Sequence, residues 1–129
     1  MVNAIDIFSG FSVNDIDAAR DFYRDALGLS VTEGPGGNLD LALPSGGHVF
    51  VYPKPDHTPA SFTILNLAVD DIDAAVDDLN AKGVVTKIYD DDDLHTDEKG
   101  IARGRAVNRG PDIAWFRDPA GNVMSVLAG

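Results

Sequence analysis

The side chains best equipped for chemistry are few: histidines at positions 48, 57 and 95, and a run of acids in DDDDLHTDEKG, residues 90–100. Carboxylates gathered in a glycine-bearing loop are what a calcium ion takes. An EF-hand loop, however, needs glycine at its sixth position and glutamate at its twelfth, and no frame opening on Asp90 or Asp93 supplies both. A solvated acidic loop is the stronger reading, with cation capture the lesser. His57 lies in KPDHTP and could act as an acid or base, although a single loop histidine is more often simply hydrated. His48 opens the apolar run HVFVYP. No ordered serine, histidine and aspartate suggest a nucleophilic triad. The absence of cysteine removes thiolate nucleophiles, thiolate metal sites and disulfides.

Composition narrows the partners. The net charge is −11, from 21 acidic against 10 basic residues, and Glu33 and Glu98 are the only glutamates among the acids. Nucleic acid would be repelled, since binding it takes a concentrated Lys/Arg footprint. The acidity reads first as solubility and second as a field that attracts a cationic ligand. No basic stretch followed by an apolar core opens the sequence, and no apolar run approaches the ~18 residues of a membrane helix. The expectation is a cytoplasmic protein without a membrane partner.

The elements that must position these groups come in two copies. FSVNDIDAARDFYRDALGL, residues 11–29, is echoed by LAVDDIDAAVDDLNAKGV, residues 67–84, so that Val13, Asp15, Ile16, Asp17, Ala18 and Ala19 recur as Val69, Asp71, Ile72, Asp73, Ala74 and Ala75, an offset of 56. In each copy an apolar, β-branched run leads to an aspartate suited to capping a helix, and a glycine, Gly28 or Gly83, closes the helix. The spacing predicts strand 4–13 and a helix from Asn14 or Asp15 with the stripe Ile16, Ala19, Phe22, Tyr23, Ala26 and Leu27. Three extended runs follow, LSVTE, NLDLAL and HVFVYP, divided by GPGG and PSGG.

After a proline-rich linker, residues 54–60, the pattern restarts with SFTILNLAV and a helix capped by Asp71. VVTKIY reads as a strand and residues 90–105 as a long loop, before the hairpin of DIAWFRD and VMSVLA across DPAGN. The two hairpins also align, LPSGGHVFV with DPAGNVMSV, at an offset of 75 from Pro44 to Pro119, which places the extra residues of the second copy in the long loop. The fold class is α+β, one domain of two βαβββ modules, residues 4–53 and 61–128.

A tandem βαβββ repeat, opened by a V-x-D-[IL]-x-x-[AS] junction and closed by a D-P-x-G-N hairpin, resembles the vicinal oxygen chelate superfamily, the glyoxalase, bleomycin-resistance and extradiol-dioxygenase group. The resemblance spans essentially the whole chain. It implies curved mixed sheets enclosing a cleft, a homodimer for a chain of this size, and a divalent metal held by His, Glu or Gln from the first and last strand of each module. By register those four positions fall at Phe8, Ile64, Phe50 and Ser125, none of which is an imidazole or a carboxylate. The resemblance therefore implies the fold without its metal, and no cofactor is expected.

Strand alternation then sets a cleft lining of Phe8, Phe50, Tyr52, Phe62, Ile64, Asn66, Trp115 and Ser125, aromatic with a few polar groups, as small-molecule sites are. Asn66 and Ser125 on a buried face would need partners that a ligand or water could supply. Three readings stay open: a binding protein that sequesters an aromatic or amphipathic compound; a lyase- or isomerase-type enzyme working without metal or with atypical ligands; and an interaction domain with a collapsed cleft. For the enzyme, Asp6 is a candidate base, its pKa raised by an apolar cleft, and His57 could swing over the cleft mouth.

Overall fold

Asp15 and Asp71, the repeated aspartates, both sit in extended backbone at the start of a helix. The Asp15 carboxylate accepts from the amides of Asp17 and Ala18, each at 3.1 Å, and Asp71 accepts from Ala74 at 3.1 Å. These bonds satisfy amides that a helix start leaves without partners, and Asp17 and Asp73 add negative charge at the positive end of each helix dipole.

The computed structural model describes residues 1–91 and 94–129 and divides into two units, Met1–Pro59 and Ala60–Gly129. In the first, β1 (Ser9–Val13) leads into α1 (Ile16–Asp21), then β2 (Ser30–Glu33), β3 (Leu39–Ala42) and β4 (His48–Pro53). The sheet order is β1-β4-β3-β2, with β1 parallel to β4 and the other pairs antiparallel. The second unit repeats it with β5 (Thr63–Ala68), α2 (Ile72–Ala81), β6 (Ile101–Arg103), β7 (Asp112–Arg117) and β8 (Val123–Ala128), ordered β5-β8-β7-β6. The α+β, tandem βαβββ architecture is thus the observed one.

The two sequence offsets meet in the hydrogen-bonding register. Gly10 pairs with Phe50 in the first sheet, and their counterparts at offsets 56 and 75, Asn66 and Ser125, pair in the second. In each unit one sheet face packs on the helix. Val13, Leu39, Leu41, Val49 and Val51 are buried with Ala19 and Tyr23 of the first helical segment, and Ala114, Phe116, Met124 and Val126 are buried with Ile72, Val76 and Leu79 of α2. Burial of each larger apolar side chain contributes roughly 1.5–3 kcal/mol. The residues between them in sequence look out from the helix-free face.

Three local expectations are corrected. The first strand begins at Ser9 rather than Ala4. The first helix changes pitch, α1 passing into a π-turn over Phe22–Ala26 in which the Leu27 amide donates to the Phe22 carbonyl at 3.1 Å. That turn seats Tyr23 with no exposed surface, its ring 5.8 Å from Phe11 and 5.2 Å from Phe22. Finally, VVTKIY forms no strand, and β6 comes from within the expected loop.

The polar side chains of that run explain the last difference, because they clasp the connection instead of facing a ladder. Lys87 Nζ donates to the carbonyls of Thr96 (2.9 Å) and Asp97 (2.8 Å) and to Thr96 Oγ1 (2.8 Å), while Thr86 Oγ1 donates to the Lys99 carbonyl at 2.7 Å. The extra residues of the second copy therefore start at Val84, just after the helix. Asp92 and Asp93, on which part of the acidic-loop reading rests, lie outside the described residues.

Candidate functional site

The helix-free face of the first sheet carries the titratable groups. Alternation along β4 places His48, Phe50 and Tyr52 on it, and pairing adds Gly10, Ser12, Asp40 and Ala42. His48 lies between two carboxylates, its Nδ1 2.6 Å from Asp40 Oδ1 and its Nε2 2.9 Å from Asp6 Oδ2. Hydrogen bonding to Asp40, then to Asp6, raises the imidazole pKa above its ordinary value. A protonated His48 donates to both. Phe8 lies tilted against the same ring with centroids 4.5 Å apart, and Phe50 stacks on Tyr52 at 5.8 Å.

Asp6 does not meet the condition set for a base. Its side chain is 60% exposed rather than enclosed by apolar groups, and the bond to His48, with a second from the Ile7 amide, holds its carboxyl below the usual range. The expected upward shift is reversed. His57 does not swing free either: its Nδ1 lies 2.6 Å from Ser12 Oγ on β1, and its amide donates to the Lys54 carbonyl at 3.0 Å. This hydroxyl–imidazole pair has the separation of a nucleophile and its base. Sequence reasoning missed it, because a contact across 45 residues leaves no local signal.

The second sheet carries neutral groups that satisfy one another. Asn66, Ser125 and Trp115 stand in one row across β5, β8 and β7. Ser125, with no exposed surface, donates to Asn66 Oδ1 at 2.6 Å. The buried Ser125 hydroxyl thus finds its partner within the unit, Asn66 is exposed rather than on a buried face, and among the described residues no buried side-chain nitrogen or oxygen is left unpaired. Trp115 Nε1 donates to Thr63 Oγ1 at 3.2 Å, and the Tyr89 ring meets the indole edge-on at 5.4 Å.

A bulge disturbs the expected alternation in β5. Thr63 pairs with Val123 and Leu65 with Met124, so Ile64 is the extra residue. Val123 shares a face with Ser125, and its partner Thr63 takes the place expected for Ile64 beside Trp115. Phe62, one residue before the strand, is 68% exposed. Nothing in the apolar run SFTILNLAV marks the slip, so Thr63 was not legible as a site residue.

The four positions at which related folds hold a divalent metal can now be tested. Phe8 and Phe50 present rings, Ile64 is an aliphatic residue in a bulge, and the Ser125 hydroxyl is bonded to Asn66. None supplies the imidazole nitrogen or carboxylate oxygen such an ion takes, so these residues do not fit the metal. Among the described residues, no three His, Cys, Asp or Glu side chains are grouped to hold an ion elsewhere.

Comparison with known proteins agrees with this architecture. A search of curated protein sequences returned no match. Solved structures match over almost their entire length. TnmS3, an antibiotic-binding protein from Streptomyces sp. CB03234, is 24% identical with a TM-score of 0.69 over 99% of this chain and 98% of that one. A glyoxalase/bleomycin resistance protein/dioxygenase superfamily member from Sphaerobacter thermophilus is 20% identical with a TM-score of 0.69 over 100% of both chains. FosX, a genomically encoded fosfomycin resistance protein from Listeria monocytogenes, is 11% identical with a TM-score of 0.70 over 100% of this chain and 95% of that one. At these identities the likeness is one of fold. The sequence model of the Glyoxalase/Bleomycin resistance protein/Dioxygenase superfamily matches residues 5–126. With its duplicated βαβββ units and the superfamily's sequence pattern over nearly all its length, this chain belongs to the glyoxalase/bleomycin resistance protein/dioxygenase superfamily.

Proposed function

We propose that this protein binds a small aromatic or amphipathic molecule without a metal and sequesters it rather than transforming it, acting as a homodimer. The observation that carries the reading is the replacement of all four metal positions by Phe8, Phe50, Ile64 and Ser125, with the one hydroxyl among them already bonded to Asn66. Each unit by itself carries paired aromatic rings, Phe50 with Tyr52 in the first and Trp115 with Tyr89 in the second, of the kind that contact a planar ligand. The likeness to an antibiotic-binding protein points the same way.

Calorimetry of the metal-stripped protein against glycopeptide, anthracycline and quinone-like compounds tests the reading, together with elemental analysis and sedimentation equilibrium. Binding in the micromolar range or tighter, unchanged by added Zn²⁺ or Mn²⁺, with a mass of two chains, is the expected outcome. One tightly held metal per chain, or binding that appears only when metal is added, would sink it.

A second reading, metal-free catalysis, has its own support in the Ser12–His57 pair and in His48 between Asp6 and Asp40. Turnover of a bound compound that is lost in both Ser12→Ala and His57→Gln would favour it over sequestration.

A further inference from the structure

The long connection of the second unit borders an open cleft of about 850 Å³ whose walls are β6 and the segments on either side of it, and whose apolar lining includes Leu94, Ile101, Val107, Ile113 and Trp115. We propose that this cleft binds an aromatic compound carrying a single anionic group, a carboxylate or its equivalent, with the ring system against Trp115 and the anion on Arg109. The inference rests on the small-molecule-binding reading and adds to it a place and a charge.

The charge assignment follows from which cations are already used. Of the permanently charged side chains lining the cleft, Asp97, Arg103 and Arg109, the first two neutralise each other and more. Arg103 donates bidentately to Asp73 at 2.8 and 3.0 Å and to Asp97 Oδ2 at 3.1 Å, and it lies 3.9 Å from Asp112. Asp97 is turned inward: its Oδ1 accepts from the amides of Lys99 and Ile101, both at 2.9 Å. Arg109 makes no ion pair with any other described residue. Among the described residues it is the charge left over, and its sign is opposite to that of the chain as a whole.

The net charge of −11 would by itself favour a cationic ligand. That field is screened within ~8 Å at physiological ionic strength, whereas a guanidinium in contact with a carboxylate is not. Local geometry therefore decides against the long-range field.

The site is also held in place before any ligand arrives. The Arg109 amide donates to the Gly104 carbonyl at 2.8 Å, directly after Asn108 in the left-handed region at φ 55°. The Asp112 carboxylate accepts from the Arg105 amide at 3.1 Å, and Gly104 sits so close to Pro111 that a Cβ would fall 2.6 Å from its carbonyl oxygen. On the other wall the indole is oriented by Thr63 and Tyr89. A fixed backbone beneath Arg109 and an oriented indole lower the ordering cost of binding.

Calorimetry of the full chain with 2-naphthoate, 2-naphthamide and 2-naphthylmethylammonium ranks three head groups on one ring system, with emission from the single tryptophan as a second readout. Naphthoate should bind about tenfold more tightly than the other two, and Arg109→Ala should remove that advantage, weakening naphthoate far more than naphthamide and leaving the thermal midpoint unchanged. Equal or tighter binding of the ammonium or the amide overturns the charge assignment and leaves small-molecule binding standing. Naphthoate affinity unaltered in Arg109→Ala overturns the site. Absence of heat with all three, with Trp115 emission unmoved, overturns this inference, and the broader reading then stands or falls on the antibiotic panel.

Discussion

Equivalent rows of the two sheets carry opposite kinds of chemistry on the same backbone. Across β1, β4 and β3 the row reads Gly10, Phe50, Asp40, and across β5, β8 and β7 it reads Asn66, Ser125, Trp115. Around the first row stand ionisable groups close to the surface: His48 with its two carboxylates, and His57 with Ser12. Around the second stand neutral groups bonded in pairs, Ser125 to Asn66 and Trp115 to Thr63. The connections differ as well. Only Leu29 separates the left-handed Gly28 from β2, whereas residues 84–100 separate Gly83 from β6 and are clasped from within by Lys87. The two copies share the ladder, the caps and the apolar residues that open each helix, and differ in the groups on the helix-free face and in the connections.

Substitutions can break or sharpen that contrast, and the glycines should do so most strongly. Gly100 has φ 86°, and a Cβ there would fall 2.0 Å from the Thr86 carbonyl oxygen, whereas Gly28 at φ 69° has open space around it. Gly100→Ala should destabilise the protein by about 3 kcal/mol or more, and Gly28→Ala by about 1 kcal/mol, in urea unfolding. Equal losses would mean that the clasped connection is not rigid. A smaller effect is expected at the row itself. Ser125→Ala removes the bond to Asn66 and should cost about 1 kcal/mol, since exposed Asn66 can turn to water.

The smallest effect concerns titration in the first sheet. Asp40→Asn should lower the His48 pKa more than Asp6→Asn does, as read by NMR. Because the folded pKa lies above the ordinary 6.5, the contribution of His48 to stability is complete below that value and is lost as pH rises through the folded pKa. His48→Gln should therefore flatten the decline of the thermal midpoint over that rise. A midpoint equally steep in the variant would place the titrating group elsewhere.

Much of the architecture was legible because it repeats. The offsets of 56 and 75 locate pairs that hydrogen-bond in both sheets, and Asp15 and Asp71 cap the helices as short acidic side chains before an apolar stripe should. What was not legible depends on single-residue events or distant contacts. The bulge at Ile64 exchanges it for Thr63 without leaving any trace in an all-apolar run. VVTKIY has strand propensity, but Thr86 and Lys87 find better partners in the Thr96–Lys99 limb, so tertiary hydrogen bonds override it. A strand reaching back to Ala4 would carry Asp6 into the sheet. With β1 starting at Ser9, the carboxylate is exposed and reaches His48 instead.

The parallel pairing of first and last strand in each unit has a consequence for synthesis. Ser9 meets Val49 and Thr63 meets Val123, so neither sheet can close until its final strand is available. The longer span of the second unit adds roughly 0.4 kcal/mol of closure entropy. On the ribosome the first sheet can close once Pro53 has emerged, while the second must wait, with β5 unpaired, for β8. An unpaired apolar strand is a template for another chain, so the later copy carries the greater risk of misassembly, and its internally clasped connection shortens the loop that has to be searched.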